Sequence, residues 1–514
     1  MSGWQPQFSF AVGLTVIAAI GPASAQSTIS RDKIEVLEAE INALQKELHA
    51  LKNKVNRAEK AAERTPATLP PPSQESGPLP TKVSTPPPTA VAKMSPSFRP
   101  SICSLDGLNC IALTSRLHFD VGGYNYRPNT PFTSVQHLDD GVNARRARIG
   151  VLGTFMGDWN YELIYDFGGS SDGFGGTAPG SLPGGAVSGI ENAYLSYVGI
   201  KGLAIEGGYM DVLYTLGEAT SSNNIMFMER ASSTNVAVNI AAGDFRSAAG
   251  ARWYNDWFWL GAYVTGPASG ALHVRQSTSP PGSTEQLGGV ARNVWHIVNQ
   301  KDFGVHIGGD AEALFKPPEN FVTGLKTLTL SDRPELRIDP TSILTTGAID
   351  NVTGAQVYSV EAAANYGPLL FEGEYYFYNV NRDLGLSGLT FNGGYAQASW
   401  VMTGESRAYN NGIAAYYGVV PSEPFSLAGG GWGAWEIAAR YSVIDLNDRL
   451  GFADGVAGGK QTIITAGLNW YVNPNIRFMV NYLHGWIGKP VSATNLTDAG
   501  SQFDAVAMRT QIAF

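Results

Sequence analysis

From residue 111 onward the chain alternates apolar and polar side chains in segments of about ten residues, broken by turns rich in Gly, Asn, Asp and Pro. In the last segment Val506, Met508, Thr510, Ile512 and Phe514 fall on one side, and Ala507, Arg509, Gln511 and Ala513 on the other. A strand sends successive side chains to opposite faces, so one face here suits lipid and the other water. Ile476, Phe478, Val480 and Tyr482 lie opposite Asn475, Arg477 and Asn481. Trp435, Ile437, Ala439, Tyr441 and Val443 lie opposite Glu436, Arg440 and Ser442, and Trp159, Tyr161, Leu163, Tyr165 and Phe167 opposite Asn160, Glu162 and Asp166. A soluble sandwich also alternates. What separates a membrane barrel from it is aromatic residues at strand ends, and Trp159, Phe167, Trp470, Tyr471, Tyr482 and Trp486 stand where interface girdles are expected. About seventeen segments qualify, and since single-chain bacterial barrels normally carry an even number of strands, the expectation is sixteen. The fold class is then all-β: a sixteen-stranded antiparallel transmembrane β-barrel, wide enough to leave an aqueous channel.

The first hundred residues follow other periods. Phe8 to Ile20 is apolar and is followed by Ala23-Ser24-Ala25, which predicts a cleaved signal peptide over residues 1–25, although no Lys or Arg precedes the apolar run. Ile34, Leu37, Ile41, Leu44, Leu48, Leu51 and Val55 are spaced alternately by three and four, the seam of a coiled-coil helix within residues 26–64. A single amphipathic helix packed on a domain is the alternative. Ile at a and Leu at d would by themselves favour two strands. Residues 65–100 hold eleven prolines, so helix cannot persist there. The expected organisation is signal peptide, coiled coil, a Pro-rich linker with a short Cys-bearing segment over residues 65–110, and a barrel over residues 111–514. No apolar stretch after the first 25 residues is long enough for a spanning helix.

Composition narrows the function classes. The 514 residues include 60 Gly, 22 Tyr, 22 Phe and 11 Trp, and only 15% are charged, against about 25% in soluble domains. The net charge is −9. Residues 1–100 carry 11 Lys+Arg and 8 Asp+Glu, leaving 24 and 36 (35 − 11 and 44 − 8) for the rest, a balance of −12. Nucleic acid needs a basic face and is excluded as a partner. Cys103 and Cys110 predict a local disulfide in an oxidising compartment; two ligands do not complete a tetrahedral metal site, and neither metal nor cofactor is expected. No Gly-rich run ends in Gly-Lys-Ser/Thr, and the seven histidines are scattered. The chain does not read as an enzyme, and a barrel hydrolase would need a Ser-His cluster at its rim.

Several stretches resemble the phosphate-selective porin O/P family. They are Arg145-Arg146-Ala147-Arg148-Ile149-Gly150, Trp159-Asn160-Tyr161, Tyr165-Asp166-Phe167, Ala193-Tyr194-Leu195-Ser196-Tyr197, Phe227-Met228-Glu229-Arg230, Arg333-Pro334-Glu335, Thr403-Gly404-Glu405-Ser406-Arg407, Gly431 to Glu436, Arg440-Tyr441-Ser442, Leu446-Asn447-Asp448, Gly467 to Tyr471 and Asn473-Pro474-Asn475. They run in order across residues 111–514. The terminal aromatic Phe514 is typical of bacterial outer-membrane barrels, and a coiled coil ahead of the barrel is also similar to members of the family. The resemblance implies a homotrimer in the bacterial outer membrane, surrounded by lipid, with a loop folded into the pore. It implies passive transport of phosphate or other small anions, with the coiled coil in the periplasm and a cell-wall contact through it as a further role.

In such porins arginines line the inner wall and lysines help at the neck. By alternation the inward arginines here are Arg116, Arg146, Arg148, Arg440, Arg477 and Arg509; Arg230 closes the expected constriction loop at about 211–235 and could reach the neck. The chain departs from the pattern in two ways. Only Lys201, Lys301, Lys316, Lys326, Lys460 and Lys489 follow residue 100, and Tyr209-Met210-Asp211-Val212 stands where the family often has a basic residue and a Pro. Asp211, Glu218 and Glu229 make the loop acidic, and Glu162, Asp166, Glu206, Glu372, Glu374 and Glu436 also face inward. The leading expectation is a porin for small hydrophilic solutes that favours anions such as phosphate. The alternative is a general or weakly cation-favouring porin, its stalk tethering the envelope.

Overall fold

Alternation resolves into sixteen barrel strands, each antiparallel to its neighbours. They are β1 (Cys110–Pro128), β2 (Gly141–Phe155), β3 (Trp159–Asp166), β4 (Gly189–Ile200), β5 (Leu203–Met210), β6 (Arg246–Tyr254), β7 (Phe258–Thr265), β8 (Leu287–Asn299), β9 (Phe303–Lys316), β10 (Val352–Tyr366), β11 (Leu369–Arg382), β12 (Leu389–Val401), β13 (Ala434–Asp448), β14 (Val456–Asn473), β15 (Ile476–Gly488) and β16 (Ser501–Ala513). The last strand pairs with the first, from Ser501 opposite Pro128 to Ala513 opposite Arg116, and closes the sheet. The sheet has eighteen strands in all; the remaining two, Ala90–Met94 and Pro100–Ser104, form a hairpin laid on the start of β1 (18 − 2 = 16). Cys103 and Cys110 face each other in that register and are joined as a disulfide.

This computed structural model describes residues 46, 90–94, 99–129, 137–168, 189–242, 245–267, 286–300, 302–319 and 324–514. The expected signal peptide, the coiled coil apart from the helical Lys46, and most of the Pro-rich linker lie outside the described residues. Residues 86–514 form one compact unit.

At the barrel end where β1 begins and β16 ends, neighbouring strands join through tight turns at 156–158, 201–202, 255–257, 367–368 and 474–475. Gly202 shows why such turns are chemically restricted: its φ is +79°, and a Cβ there would meet the Tyr254 carbonyl oxygen at 2.5 Å. The opposite end carries the longer connections, among them 211–245 and 317–351. One connection breaks the division, because 402–433 is long yet lies at the tight-turn end.

On the outside, aromatic rings gather near the tight turns. Trp159 meets Tyr197 at 5.0 Å, Phe258 meets Trp253 and Trp295 at 5.6 and 4.6 Å, and Trp470 meets Trp435 and Phe478 at 5.4 and 5.7 Å. Tyr471 departs from the expected girdle. Trp470 already points outward, so its strand neighbour must point inward, and Tyr471 is buried with its hydroxyl donating to Glu436 at 2.7 Å.

Inside, described residues of several connections fill part of the lumen. Connection 211–245 carries α1 (Leu216–Ala219) and α2 (Ser232–Ala241). Val236, Ala237, Ile240 and Ala241 of α2 share an apolar cluster with Val290, Leu314, Val357, Tyr376 and Tyr378 of β8 to β11. From connection 317–351, Leu336, Ile338 and Ile343 pack with Ile463, Met479, Leu483, Ile487 and Phe503 of β14 to β16. Connection 402–433 enters from the tight-turn end, burying Ala414, Ala415 and Tyr416. Apolar clusters pack along the β8–β16 wall, and a space lies along β1–β6.

Candidate functional site

That space is a chamber of about 250 Å³ between the inner faces of β1 to β6 and the segment 211–245. Its wall residues Thr114, Ser115, Glu162, Glu206 and Arg252 stand a few positions from the tight-turn ends of their strands, and Glu191 and Met210 stand near the long-connection ends of theirs.

The cationic side of the chamber is built by β1 and β2. Arg116 is opposite Arg148 and His118 opposite Arg146, but the next pair is Asp120 with Asn143. Ala144 and Arg145 therefore face Phe119 alone, a β-bulge that interrupts the alternation. Arg145 and Arg146, adjacent in the chain, both turn inward and are each only 2% exposed. Strict alternation would place Arg145 in lipid. In the folded barrel its Nε and Nη2 donate to the two Glu229 oxygens at 2.9 and 3.1 Å.

Arg116, Arg146, Arg148 and Arg230 all line the chamber, together with Asp211 and Glu218. Arg440, Arg477, Arg509 and Glu229, grouped with them from the sequence, stand elsewhere and hold the inward segment in place. Arg509 donates to the Met228 carbonyl and, at 2.7 Å, to Glu229. Arg477 donates to the Asn223 and Met226 carbonyls at 3.4 Å each. Arg440 donates to the Glu229 carbonyl at 2.9 Å, and Asn469 and Asn481 hold Met226 and Met228 from the same wall.

The chamber cations are not equally compensated. Arg148 donates to Asp166 at 2.8 Å and also pairs with Glu191. Arg252 pairs with Glu206 at 2.6 Å. Arg230 lies 3.3 Å from Glu218 and donates to the carbonyls of Gly217 and Thr220. Arg116 donates to hydroxyls, Ser222 at 2.7 Å and Ser221 at 3.2 Å. Among the described residues Arg146 has only Glu229 as a carboxylate partner, at 3.9 Å, and Arg145 and Arg509 already hold that carboxylate. Its Nε and Nη1 are buried without a hydrogen-bond partner. An anion beside Arg146 and Arg116 would meet charge-assisted donors and nearby hydroxyls.

Other lumen residues were missed at the level of sequence. Arg292 donates to the Ile413 and Ala414 carbonyls at 2.8 Å each and pairs with Glu361 at 2.8 Å. His306 bridges Glu361 and the Tyr409 hydroxyl at 2.8 and 3.1 Å. Arg407 clasps Glu436 at 2.9 Å through two nitrogens and donates to the Asn224 carbonyl at 2.6 Å, linking segment 402–433 to segment 211–245. Arg292 shares the inward face with Val290 and Val294, opposite the exposed Trp295. No local pattern marks Arg407 as folding back into the barrel. Oxygens of Asp310, Glu361 and Glu374 lie within 4.8 Å of one another. Arg292 and His306 engage Glu361, and Glu374 accepts the Leu216 and Gly217 amides and the Tyr395 hydroxyl, so the cluster acts as an anchor for α1.

The sequence model of the phosphate-selective porin O and P family matches residues 111–514. Porin O of Pseudomonas aeruginosa is 23% identical over 431 residues, covering 77% of this chain and 89% of that protein. An uncharacterized protein of Caulobacter vibrioides is 27% identical over 474 residues, 90% and 86% of the two chains. Among solved structures, the anion-selective porin from Comamonas acidovorans has 14% identity and a TM-score of 0.45, with 79% of this chain and 100% of that one covered. The outer membrane channel DcaP of Acinetobacter baumannii has 11% identity and a TM-score of 0.43, with 80% and 99% covered.

Proposed function

Because the chain belongs to the phosphate-selective porin O and P family through residues 111–514, and is thus an outer-membrane porin, we propose that it passes small hydrophilic solutes passively and favours small anions such as phosphate. The observation that carries this reading is Arg146: a buried guanidinium with two nitrogens unpartnered, beside Arg116 and at the wall of the chamber. An anion there exchanges hydration for charge-assisted contacts, yet the hydroxyls and open chamber leave it free to depart, as conduction requires. Arg116 opposite Arg148 is a like-charged cross-strand pair, which is unfavourable by itself. Asp166 and Glu191 compensate Arg148 and leave Arg116 turned to the serines.

The second reading, a general or weakly cation-favouring pore, draws on Glu162, Glu191, Glu206, Asp211 and Glu218 in the same chamber. Charges far from the narrow region are screened within about 8 Å at physiological salt, so the balance at the chamber decides. The reversal potential of single channels in a KCl gradient tests it. Chloride preference, lowered by phosphate added to the bath, is the expected result; potassium preference that persists in Arg146→Ala would leave the general porin. In the same proposal the protein is a homotrimer with its coiled coil in the periplasm, and a chain starting near residue 101 should still run as a heat-labile trimer on mild detergent gels.

A further inference from the structure

Arg333-Pro334-Glu335, one of the stretches that carry the family resemblance, lies on connection 317–351 and lines neither the chamber nor the barrel wall. Glu335 is 1% exposed and has a φ of +55°, a left-handed conformation that a side-chain-bearing residue adopts only where its surroundings over-determine it. Its carboxylate faces α2. Helix α2 begins at Ser232, and the preceding Ala231 supplies no side-chain cap. Glu335 Oε1 accepts the Ser232 amide at 3.0 Å and the Ser442 hydroxyl at 2.6 Å. Glu335 Oε2 accepts from Arg440 at 2.5 Å, and the same guanidinium donates to the Glu229 carbonyl and lies 4.6 Å over the Phe227 ring. Nearby, Asp332 accepts from Asn235 of α2 at 3.1 Å.

We propose that Glu335 is the positioning residue of the constriction: borne by a different loop, it caps the N-terminus of α2 in trans and holds Arg440 against the inward segment. The helix start is otherwise a set of unsatisfied amides carrying a partial positive charge, and a carboxylate satisfies both. The strap that carries Glu335 is anchored in turn to the first loop and to β2, through Asp339 accepting the Asp139 amide and the Arg337 carbonyl accepting from Asn143. The register of the constriction is therefore set from the long-loop face of the barrel, and the charge of Arg440 is masked by a residue of that strap. The inference rests on the lumen being a conduction path.

The test uses the full chain with Glu335→Gln, Glu335→Ala and Glu335→Asp, each followed by bilayer recording and by hydrogen exchange. Gln removes the counter-charge of Arg440 without changing shape, and should move the reversal potential toward chloride and raise open-channel noise. Ala should do both and speed exchange of the Ser232–Asn235 amides about fivefold, the fold-change equivalent to losing one helix cap. Asp keeps the charge and should restore the reversal potential. Wild-type reversal potential, noise and amide protection in both Gln and Ala would refute the latch. If Ala yields no heat-modifiable barrel, Gln decides alone. Exchange is read without current, so a wild type that conducts nothing counts against the channel while leaving the latch to be judged by its amides.

Discussion

Arg509 on the last strand and Asp120 on the first face each other across the barrel seam, joined by two hydrogen bonds of 2.6 and 2.7 Å with both side chains fully buried. Removing one partner of such a pair costs about 3–5 kcal/mol, because the other charge stays buried without compensation. Here the two partners are not equivalent. Arg509 also holds Glu229, whereas Asp120 holds Arg509. Arg509→Ala orphans Asp120 and takes from Glu229 one partner, leaving it to Arg145, and should destabilise the barrel more than Asp120→Ala, which leaves the arginine with Glu229. Urea unfolding in lipid vesicles measures the order, and equal losses would contradict it.

Arg146 and Arg148 should separate selectivity from stability. Arg146→Ala removes a cation that no carboxylate among the described residues holds closely, so anion preference should fall while the folded barrel keeps its resistance to heat. Arg148→Ala takes the arginine from Asp166 and from the chamber-lining Glu191, so anion preference should fall and the barrel should also lose about 3 kcal/mol or more. Reversal potentials paired with heat-modifiability gels read the two effects. A stability loss in the Arg146 variant as large as that in the Arg148 variant would mean that Arg146 is held by contacts of its own.

The Cys103–Cys110 disulfide closes a short loop beside the chain entry to β1, with a sequence separation of 7. Loop-closure entropy for that length gives about 2–3 kcal/mol, felt locally. Alkylation of unreduced protein should show no free thiol. Reduction should speed exchange of the amides around residues 100–112 and leave channel conductance as it was. A change in conductance on reduction would mean that this hairpin bears on the pore.

Asp454 ties two long-side loops together: it accepts from the Ser387 amide at 3.1 Å and from Arg449 at 3.1 Å, and these donors depress its carboxyl to about 2. A depressed acid contributes order above its unfolded value, near 3.9, and loses it as pH falls through the folded value. The Ser387 amide should stay protected from pH 7 down to about 4 and exchange freely only near pH 2. Asp454→Asn should show the low-pH behaviour at neutral pH. Protection that fades between pH 6 and 5 would assign the contact to another group.

Strand existence and wall orientation could be read from alternation, as Val506, Met508 and Ile512 show against Arg509 and Gln511. Faces follow from a local period. Partners do not. Arg440, Arg477 and Arg509 turn inward as their strands require, yet whether they meet solute or backbone depends on where residues 223–229 fold, and that is set by contacts hundreds of positions away in the chain. Arg145 was hidden by a bulge, a register event that needs both strands. The inward course of 402–433 leaves no period at all, because its buried residues Ala414, Ala415 and Tyr416 sit in a two-strand hairpin stabilised by Arg292 and Trp259 from the far wall.

The anchoring of segment 211–245 sets an order on biogenesis. The segment is made midway along the chain, but guanidinium groups that hold it come from Arg116 and Arg145 near the barrel's beginning and from Arg440, Arg477 and Arg509 near its end. Until β13 to β16 are in place, three of these five donors are missing and the segment is incompletely seated. An assembly intermediate with an open edge would therefore lack part of what holds the inward segment across the lumen. Seam closure and permeability control become one event, so an incompletely zipped molecule in the membrane would betray itself as a leak.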